Sequence, residues 1–321
     1  MRALVTGGAG FIGSHLVDAL IEQGSEVVVL DNLLAGRVEN VAPKAEFVNG
    51  DVADPDVLLE AMADCDVVFH QAALGSVLRS VAKPLDTDRT NVHGTLAVLD
   101  AAHKTGVSRL VLASSSAVYG GAKQTPTPED APLTPRSPYA VSKLAGEHYA
   151  RVAFELHGVE TVCLRYFNVF GPRQRSDSPY AAVIPLFVRA LLTRRHPEVH
   201  GDGLQSRDFT YVDDAVQANL KAATAPAEAC AGRAFNVARG QPRTLLDLLD
   251  VLARLIDTKV DPVRVPPRPG DIRHSHADIG NARRLLGYEP QVSFEAGLAL
   301  ILDWFEAIGS GTGGTGEGGL R

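Results

Sequence analysis

The chain has 321 residues, of which 45% are hydrophobic and 21% are charged, and its formal net charge is −7. This length and composition predict a soluble globular protein with one large domain or two fused lobes. The acidic balance argues against a nucleic-acid-binding surface. No stretch is apolar over the length of a membrane span, and a strand-like run at the N-terminus takes the place of a signal peptide, which predicts a cytoplasmic location.

Three cysteines, Cys65, Cys163 and Cys230, lie far apart in the sequence. Their odd number and wide spacing argue against a disulfide framework and against a zinc site, so no bound metal is expected.

Short apolar runs alternate with longer helical patterns through the first half of the chain. The predicted strands are residues 3–6, 26–30, 45–49, 66–71, 109–114 and 161–165, and helical patterns include 14–23 and 92–104. This alternation predicts an α/β fold with a parallel, doubly wound sheet.

From about Gly171 the regular alternation gives way to shorter elements rich in proline and arginine. We therefore predict a sheet-containing domain at 1–170, with returning segments from the second half of the chain. A smaller lobe at 171–308 is expected over the carboxyl edge of the sheet. The glycine-rich segment 309–321 is predicted to be a disordered tail.

The segment TGGAGFIG, residues 6–13, lies between the first predicted strand and the first helix. Taken alone, such a glycine pattern is also compatible with a structural turn. Here Gly7, Gly10 and Gly13 permit a tight turn, close approach of the backbone to a pyrophosphate, and close packing of helix on strand. The context on both sides indicates a dinucleotide site.

Asp31 ends the next predicted strand, at the spacing of about 20 residues expected for a ribose-binding acid. A carboxylate there would accept a hydrogen bond from a ribose 2′-hydroxyl and repel a 2′-phosphate, which predicts NAD rather than NADP. Arg37 is interpreted as a solvated loop residue. Asp51 and Val52, in the sequence GDV after another predicted strand, are expected at the adenine edge.

The sequence YAVSK places Tyr139 and Lys143 four residues apart, on one face of a predicted helix. A free tyrosine has a pKa of about 10, so Tyr139 would need a nearby ammonium to act as a base near neutrality. The sequence SSSAVYG, residues 114–120, places three serines at a strand end. They form either an ordinary polar loop or a site for a substrate hydroxyl.

Together with HQAA, LRYFNVFGP, GDG…SRDFTYVDD and RPGDIRHSHAD, these motifs make the chain resemble the extended short-chain dehydrogenase/reductase family up to the glycine-rich tail. The resemblance implies a Rossmann-type fold with a smaller C-terminal substrate-binding lobe, NAD as cofactor, and Ser115, Tyr139 and Lys143 as the catalytic residues. In that family Tyr139 would take the proton of a sugar 4-hydroxyl while the C4 hydride passes to NAD. Ser115 would hydrogen-bond the same oxygen, and Lys143 would hold the nicotinamide ribose.

The motifs and the resemblance together imply two sets of binding residues. The cofactor set is Gly7, Gly10, Phe11, Ile12, Gly13, Asp31, Asn32, Asp51, Val52, Gln71, Ala72, Asn91, Tyr139, Lys143 and Tyr166. The set for a UDP-sugar substrate is Ser76, Ser115, Ser116, Asn168, Arg175, Val183, His200, Arg207, Arg268, Asp271 and Ser275. The family also commonly forms homodimers, here through helices around 92–104 and 139–156.

Ala117 distinguishes among the sugar reactions of the family. The resembling sugar dehydratases carry an Asp-Glu pair at the positions of Ser116 and Ala117, and nucleotide-glucuronate decarboxylases carry Glu at the position of Ala117. A methyl group transfers no proton, so neither reaction has its usual helper. The predicted activity is therefore that of a UDP-sugar 4-epimerase, with transient oxidation at C4, rotation of the 4-keto sugar and return of the hydride.

Two features predict different sugars. The resembling glucose/galactose epimerases have a bulky tyrosine at the position of Ser275. The smaller serine gives a wider pocket, which favours N-acetylhexosamines. The loop GPRQRSD, residues 171–177, resembles that of UDP-glucuronate 4-epimerases, and Arg175 or Arg173 would pair with a carboxylate that is costly to bury alone. A solvated arginine loop is the alternative.

UDP-glucuronate, converted to UDP-galacturonate, is the predicted substrate. The alternatives are UDP-N-acetylglucosamine or UDP-glucose as the epimerase substrate, or a 4-keto nucleotide-sugar reductase that consumes NADH.

Overall fold

A parallel sheet of seven strands lies at the centre of the computed structural model, which describes residues 1–176, 181–267 and 272–311. The strands in chain order are β1 (Arg2–Thr6), β2 (Glu26–Asp31), β3 (Glu46–Asn49), β4 (Val67–His70), β5 (Arg109–Ser115), β6 (Glu160–Tyr166), β7 (Val169–Phe170), β8 (Glu198–His200), β9 (Ser206–Asp208), β10 (Thr210–Tyr211), β11 (Arg233–Val237), β12 (Pro242–Thr244) and β13 (Val263–Val265).

Helices flank this sheet and build the rest of the chain. They are α1 (Phe11–Glu22), α2 (Pro55–Ala61), α3 (Val77–Ala82), α4 (Pro84–Asp88), α5 (Gly94–Thr105), α6 (Pro138–His157), α7 (Val183–Leu192), α8 (Val212–Thr224), α9 (Ala227–Cys230), α10 (Leu245–Leu255) and α11 (Phe294–Gly311). A turn of π-helix at Arg89–His93 precedes α5.

The strand order in the central sheet is β11-β6-β5-β4-β1-β2-β3, with every neighbouring pair parallel. The chain therefore leaves β1 toward one edge and returns at β4 toward the other. In a doubly wound sheet, this reversal between β1 and β4 opens a crevice at the carboxyl ends of the strands, where ligands bind. The predicted parallel, doubly wound sheet is confirmed.

Two apolar layers cover the sheet because its strands are buried on both faces. On one face, Leu16 and Leu20 of α1 and Ala215 of α8 pack into the sheet core. On the other, Leu58 of α2 and Val98 of α5 do so. The helices thereby fix the strand ends whose loops surround the crevice.

A third apolar cluster belongs to the second half of the chain. Phe187 of α7, Phe209, Leu248 of α10 and Leu298 of α11 are buried together. The strand Arg233–Val237 instead returns to pair with β6 in the central sheet. The second half of the chain thus contributes to both parts of the fold.

Some element boundaries differ from the sequence-based predictions. The strand β11 was not predicted individually, because a buried Asn236 interrupts its short apolar run. Helix α11 extends through Gly311, into the segment predicted as a disordered tail, and residues 312–321 lie outside the described part.

Among the helices in the described ranges, none is both long enough and apolar enough to cross a bilayer. The cytoplasmic location stays a prediction.

Candidate active site

A cleft of about 1140 Å³ lies at the carboxyl edge of the sheet and is lined by residues that follow β1, β2, β4, β5 and β6. The predicted site residues in the described part of the chain line this cleft, with the exceptions of Asp51, Asn91, Val183 and His200. The predicted substrate residues Arg268 and Asp271 lie outside the described residues.

The glycine loop after β1 forms one wall of the cleft through its backbone. Gly7 has a φ of +71°, and a Cβ atom there would lie 2.6 Å from the amide nitrogen of Ala72. A Cβ atom on Gly13 would lie 2.2 Å from the carbonyl oxygen of Gly7. Glycine is therefore required at both positions, and the backbone at the N-terminus of α1 is open to an anionic group.

The carboxylate of Asp31 lies at the end of β2 and lines the cleft. It accepts hydrogen bonds from the amide nitrogens of Leu33 at 2.8 Å and Ala9 at 3.1 Å. Burial raises the pKa of Asp31, and these two hydrogen bonds oppose the rise. Gly36, which was not predicted as a site residue, allows the loop to pass close to Asp31, since a Cβ atom there would lie 2.9 Å from its Oδ2 atom.

Two predicted cofactor residues have structural contacts instead of facing the cleft. The Asn91 side chain is buried, accepts a hydrogen bond from the Leu74 amide at 2.8 Å and donates to the Ser142 hydroxyl at 3.0 Å. Asp51 accepts from the Ala53 amide at 2.9 Å. Asn91 supports the loop after β4 from behind, while Val52 beside Asp51 lines the cleft.

His70 connects the glycine loop to α5 through a chain of hydrogen bonds. The Thr95 hydroxyl donates to the carbonyl oxygen of Asn91 at 2.6 Å, so its oxygen accepts from Nε2 of His70 at 3.0 Å. The Nδ1 atom then accepts from the Thr6 hydroxyl at 2.7 Å. Burial, with a smaller contribution from Lys143, lowers the pKa of His70 to about 3, which fixes the neutral ring.

The helix that carries the predicted catalytic pair begins directly at the cleft. The Ser137 hydroxyl accepts from the Ala140 amide at 3.1 Å, and Pro138 occupies the first helical position of α6. Both features favour a helix start at this point. Tyr139 therefore lies in the first turn and Lys143 in the next, with both side chains in the cleft.

Tyr139 and Lys143 of α6 meet the end of β5. The Tyr139 phenol hydrogen-bonds Ser115, which opposes the rise that burial causes in its pKa. Lys143 is buried and donates to the carbonyl oxygen of Ala113 at 2.8 Å. Burial lowers the pKa of Lys143 to about 8, so the ammonium form predominates at neutral pH. Ala117, which also lines the cleft, donates its amide to the Ser115 hydroxyl oxygen at 3.2 Å.

On the substrate side, Asn168, Arg207 and Ser275 line the cleft. Val183 and His200, which were also predicted on the substrate side, do not line it. Val183 is the first residue of α7, and the Nδ1 atom of His200 is 3.0 Å from the carbonyl oxygen of Pro266.

Both arginines in the loop after β7 line the cleft. Arg173 forms an ion pair of 2.7 Å with Asp18 of α1. The Arg175 side chain is exposed.

Sequence reasoning missed several residues that line the cleft. Arg79 and Lys83, one helical turn apart, bring positive charge beside Ser76, while Tyr119 and Thr127 form part of the wall beyond Ser115. The two cations in the sequence LRSVAK, residues 78–83, are the signal from which an anion-binding contribution was predictable. Thr127 carried no local signal, because its position depends on a backbone hydrogen bond from its amide to His276.

The donor set fits a dinucleotide. Gly7 and Gly13 leave room that a Cβ atom would fill, Asp31 offers a carboxylate to a ribose hydroxyl, and Tyr139 and Lys143 close the far end of the cleft. These residues would hold NAD, which supplies a hydride acceptor and donor when it is bound. Tyr139 can then accept or donate a proton at a substrate oxygen that Ser115 also binds.

Comparisons with known proteins agree with this geometry. A family model described as the NAD dependent epimerase/dehydratase family matches residues 3–238. A UDP-glucose 4-epimerase of Mycolicibacterium smegmatis is 41% identical over 312 residues, which cover 95% of this chain and 98% of that protein.

Two solved structures represent other sugars. A UDP-N-acetylglucosamine 4-epimerase from Methanobrevibacter ruminantium M1, in complex with UDP-N-acetylmuramic acid, is 40% identical, with a TM-score of 0.91 over 96% of this chain and 98% of that chain. A UDP-glucuronic acid 4-epimerase from Bacillus cereus, in complex with UDP-glucuronic acid and NAD, is 32% identical, with a TM-score of 0.89 over 96% of this chain and 100% of that chain.

These findings confirm the predicted family, its enzyme class, the Rossmann-type fold and NAD as the cofactor. They do not separate the three predicted sugars, because an epimerase named for each sugar is among the similar proteins. The chain is a member of the NAD-dependent epimerase/dehydratase family.

Proposed function

We propose that the chain interconverts a UDP-hexose and its 4-epimer. The observation that carries this proposal is the meeting of Tyr139 and Lys143 with Ser115 in one cleft, followed by Ala117 instead of an acidic residue. Because Ala117 offers no acid or base, the 4-keto sugar undergoes no elimination or decarboxylation. It rotates, and the hydride returns to the opposite face of C4.

Each catalytic side chain has a separate task in the proposed reaction. The Tyr139 oxygen takes the proton of the sugar 4-hydroxyl and gives it back after the sugar has rotated. Ser115 donates a hydrogen bond to the same sugar oxygen. The Lys143 ammonium stabilises the Tyr139 phenolate, and each pKa unit by which it does so is worth about 1.4 kcal/mol.

UDP-glucuronate is the sugar that we propose as the preferred substrate. Arg175 lies in the loop after β7, lines the cleft and is exposed there. A guanidinium matches a carboxylate with two parallel hydrogen bonds, and such a partner offsets the cost of desolvating the carboxylate. Arg175 is therefore the proposed partner of the sugar carboxylate.

UDP-N-acetylglucosamine is the second candidate, and Ser275 supports it. The Ser275 side chain lines the cleft, and its amide donates to the carbonyl oxygen of Ser206 at 3.1 Å. A small side chain held at this position leaves space for a bulky substituent on the sugar.

The substrate proposal is tested by incubating the protein separately with UDP-glucuronate, UDP-N-acetylglucosamine and UDP-glucose, and following the anomeric protons by NMR. Arg175→Ala should lower kcat/KM for UDP-glucuronate by about tenfold or more, because a hydrogen bond to a charged group contributes about 1.5–3 kcal/mol. The exposed Arg195 lies outside the cleft, so Arg195→Ala is the matched control.

An equal loss with all three sugars in Arg175→Ala would count against the carboxylate contact. Ser275→Tyr separates the second candidate, because it should lower activity with UDP-N-acetylglucosamine more than with UDP-glucose. If the two activities fall equally, Ser275 does not set the pocket width.

A homodimer is the proposed assembly, since apolar side chains are exposed on neighbouring helices of one face. Leu156 of α6 is 71% exposed and Leu85 of α4 is 82% exposed, with Val141, Val152 and Leu96 exposed beside them. A second copy of the chain would bury these side chains, as the family resemblance implies.

Leu156→Glu should yield a monomer in sedimentation analysis, whereas Leu300→Glu on α11 should leave the assembly unchanged. Monomeric wild-type protein would overturn this proposal.

A further inference from the structure

Three side chains on one face of α6, each one helical turn after the last, contact the final three residues of β5. They are Tyr139 against Ser115, Lys143 against Ala113, and Glu147 against Ser114. The first two belong to the predicted catalytic group. The third, in which the Ser114 hydroxyl donates to Glu147 at 2.5 Å, has no role in the reaction described above.

Glu147 is buried and forms a two-point ion pair with Arg165 of β6. The Arg165 Nε atom donates to Oε1 at 2.9 Å and a terminal nitrogen donates to Oε2 at 2.7 Å. Arg165 is the register partner of Ser114 in the sheet, so Glu147 of α6 bridges the ends of β5 and β6 through these two residues. Packing alone does not account for it, because a buried ion pair is often no more stable than apolar residues of the same volume.

The other side of Arg165 reaches the far wall of the cleft. Arg165 donates to the Tyr119 hydroxyl and to the carbonyl oxygen of Glu129, both at 2.8 Å. Tyr119 donates to the Asn236 side chain at 2.7 Å, and Asn236 donates to the carbonyl oxygen of Thr127 at 2.9 Å. Since Tyr119 and Thr127 line the cleft, the ion pair connects both of its walls.

Among the described residues, the titratable groups that face Glu147 and Lys143 are Cys163 and Arg165 of β6, His70 of β4, Tyr119 after β5, and Tyr139 on α6 itself. None of these is a carboxylate, so Glu147 is the one carboxylate in this group beside the Lys143 ammonium. Burial lowers the pKa of Lys143, while Cys163 and Glu147 raise it. Burial also raises the pKa of Cys163 well above its ordinary value, which keeps that thiol neutral and leaves Glu147 as the negative charge.

We propose that Glu147 is a positioning residue for the epimerisation: its carboxylate fixes the end of β5 that carries Ser115 against the part of α6 that carries Lys143. This inference rests on the proposed function. Glu147 touches neither substrate nor cofactor, and it acts through Ser114, Arg165 and Lys143.

The test replaces Glu147 with glutamine and compares it with a matched ion pair. Arg109 of β5 and Glu160 of β6 lie at the opposite end of the same two strands and form an ion pair of 2.6 Å. Glu160→Gln therefore removes a comparable contact away from the cleft. Lys143 is followed by NMR of protein with ¹³Cε-labelled lysine, saturated with NAD, and its resonance is assigned by its absence in Lys143→Met.

In Glu147→Gln, the titration midpoint of Lys143 should fall by about one pH unit, as expected for loss of a nearby opposite charge. The alkaline limb of the kcat profile should move to lower pH by the same amount. At the optimum, kcat should fall about tenfold, within the roughly 10²-fold cost of an ångström-scale misplacement, while KM stays within about twofold. Glu160→Gln should lower the Tm and leave the titration and kcat unchanged.

A folded Glu147→Gln protein with the wild-type Lys143 titration and kcat profile would overturn the proposal, as would an equal shift in Glu160→Gln. If Glu147→Gln does not fold, Glu147→Asp is measured instead: it keeps the charge and withdraws the carboxylate from Ser114 and Arg165, so kcat should fall while KM stays within about twofold, and a wild-type kcat would overturn the proposal. Should the wild type interconvert no UDP-hexose, the proposed function fails, and the NMR titration still decides whether Glu147 supports Lys143.

Discussion

The Nζ atom of Lys143 donates a hydrogen bond of 2.8 Å to the carbonyl oxygen of Ala113, two residues before Ser115. This contact joins the helix that carries Tyr139 to the strand that carries Ser115. Because the acceptor is a main-chain atom in a central strand, it holds the ammonium more rigidly than a mobile side chain would. The proposed catalytic group is thus preorganised by the sheet itself.

Replacing Tyr139 with phenylalanine should lower kcat by about 10²–10⁴-fold, the usual contribution of a positioned acid–base group. KM should change little, because the phenol oxygen acts on the proton in transit and the ring is retained. NMR of the anomeric protons gives both constants. Tyr149, exposed on the same helix, provides the control Tyr149→Phe. Activity in Tyr139→Phe within a factor of ten of the wild type would contradict the assigned role.

Asp31 and Asp51 were both predicted at the cofactor, and only Asp31 lines the cleft. Asp31→Asn should weaken NAD binding roughly 10- to 100-fold, since a hydrogen bond to a charged group contributes about 1.5–3 kcal/mol. It should also narrow the preference for NAD over NADP. Asp51→Asn should change NAD affinity by about twofold at most, because the Asp51 carboxylate does not line the cleft. The contact of Asp51 with Arg89, at 4.0 Å, is exposed and contributes little free energy.

Calorimetric titration of nucleotide-free protein with NAD and NADP measures both affinities. Equal losses in the two variants would show that the orientation of Asp51 toward Ala53 is not retained when the cofactor binds.

His70 should make the fold sensitive to acid. Its pKa is about 3 in the folded protein and 6.5 when unperturbed, so only the unfolded chain binds the proton between these values. The free energy of unfolding therefore falls as the pH drops below 6.5, by about 1.4 kcal/mol per unit. Between pH 7.5 and pH 5.0 the contribution of His70 is about 2 kcal/mol.

Urea denaturation at these two pH values measures the effect. In His70→Gln the difference in unfolding free energy between the two pH values should be smaller by about 2 kcal/mol than in the wild type. His148→Gln, on the exposed side of α6, should keep the wild-type difference. An unchanged difference in His70→Gln would mean that the buried neutral ring is not the source of the acid sensitivity.

The features that were predictable from the sequence are local ones. The glycine loop, Asp31 and the Tyr139–Lys143 pair each depend on spacing within one or two neighbouring elements, and the structure places them in one cleft. Asn91 was also predicted at the cofactor, but its side-chain amide instead accepts a hydrogen bond from the Leu74 amide and donates one to the Ser142 hydroxyl. A residue's position in the sequence predicts which part of the fold it occupies, but it does not predict which way its side chain points.

The contacts that were not predictable join distant segments. Arg165 reaches Glu129 and Glu147, and Asn236 reaches Thr127, and in each case the two partners are far apart in the sequence. The strand that carries Asn236 gave a weak apolar signal because this polar residue is buried within it. A single sequence contains no local pattern that predicts such contacts between distant segments.

The most direct test of the epimerisation uses a UDP-hexose deuterated at C4. The protein is incubated with the labelled UDP-glucuronate, UDP-N-acetylglucosamine or UDP-glucose, and the products are analysed by NMR. The 4-epimer of at least one sugar should form with the deuterium still at C4 and without net accumulation of NADH. Absence of interconversion with all three, or a change in the cofactor equal to the amount of sugar converted, would contradict 4-epimerisation.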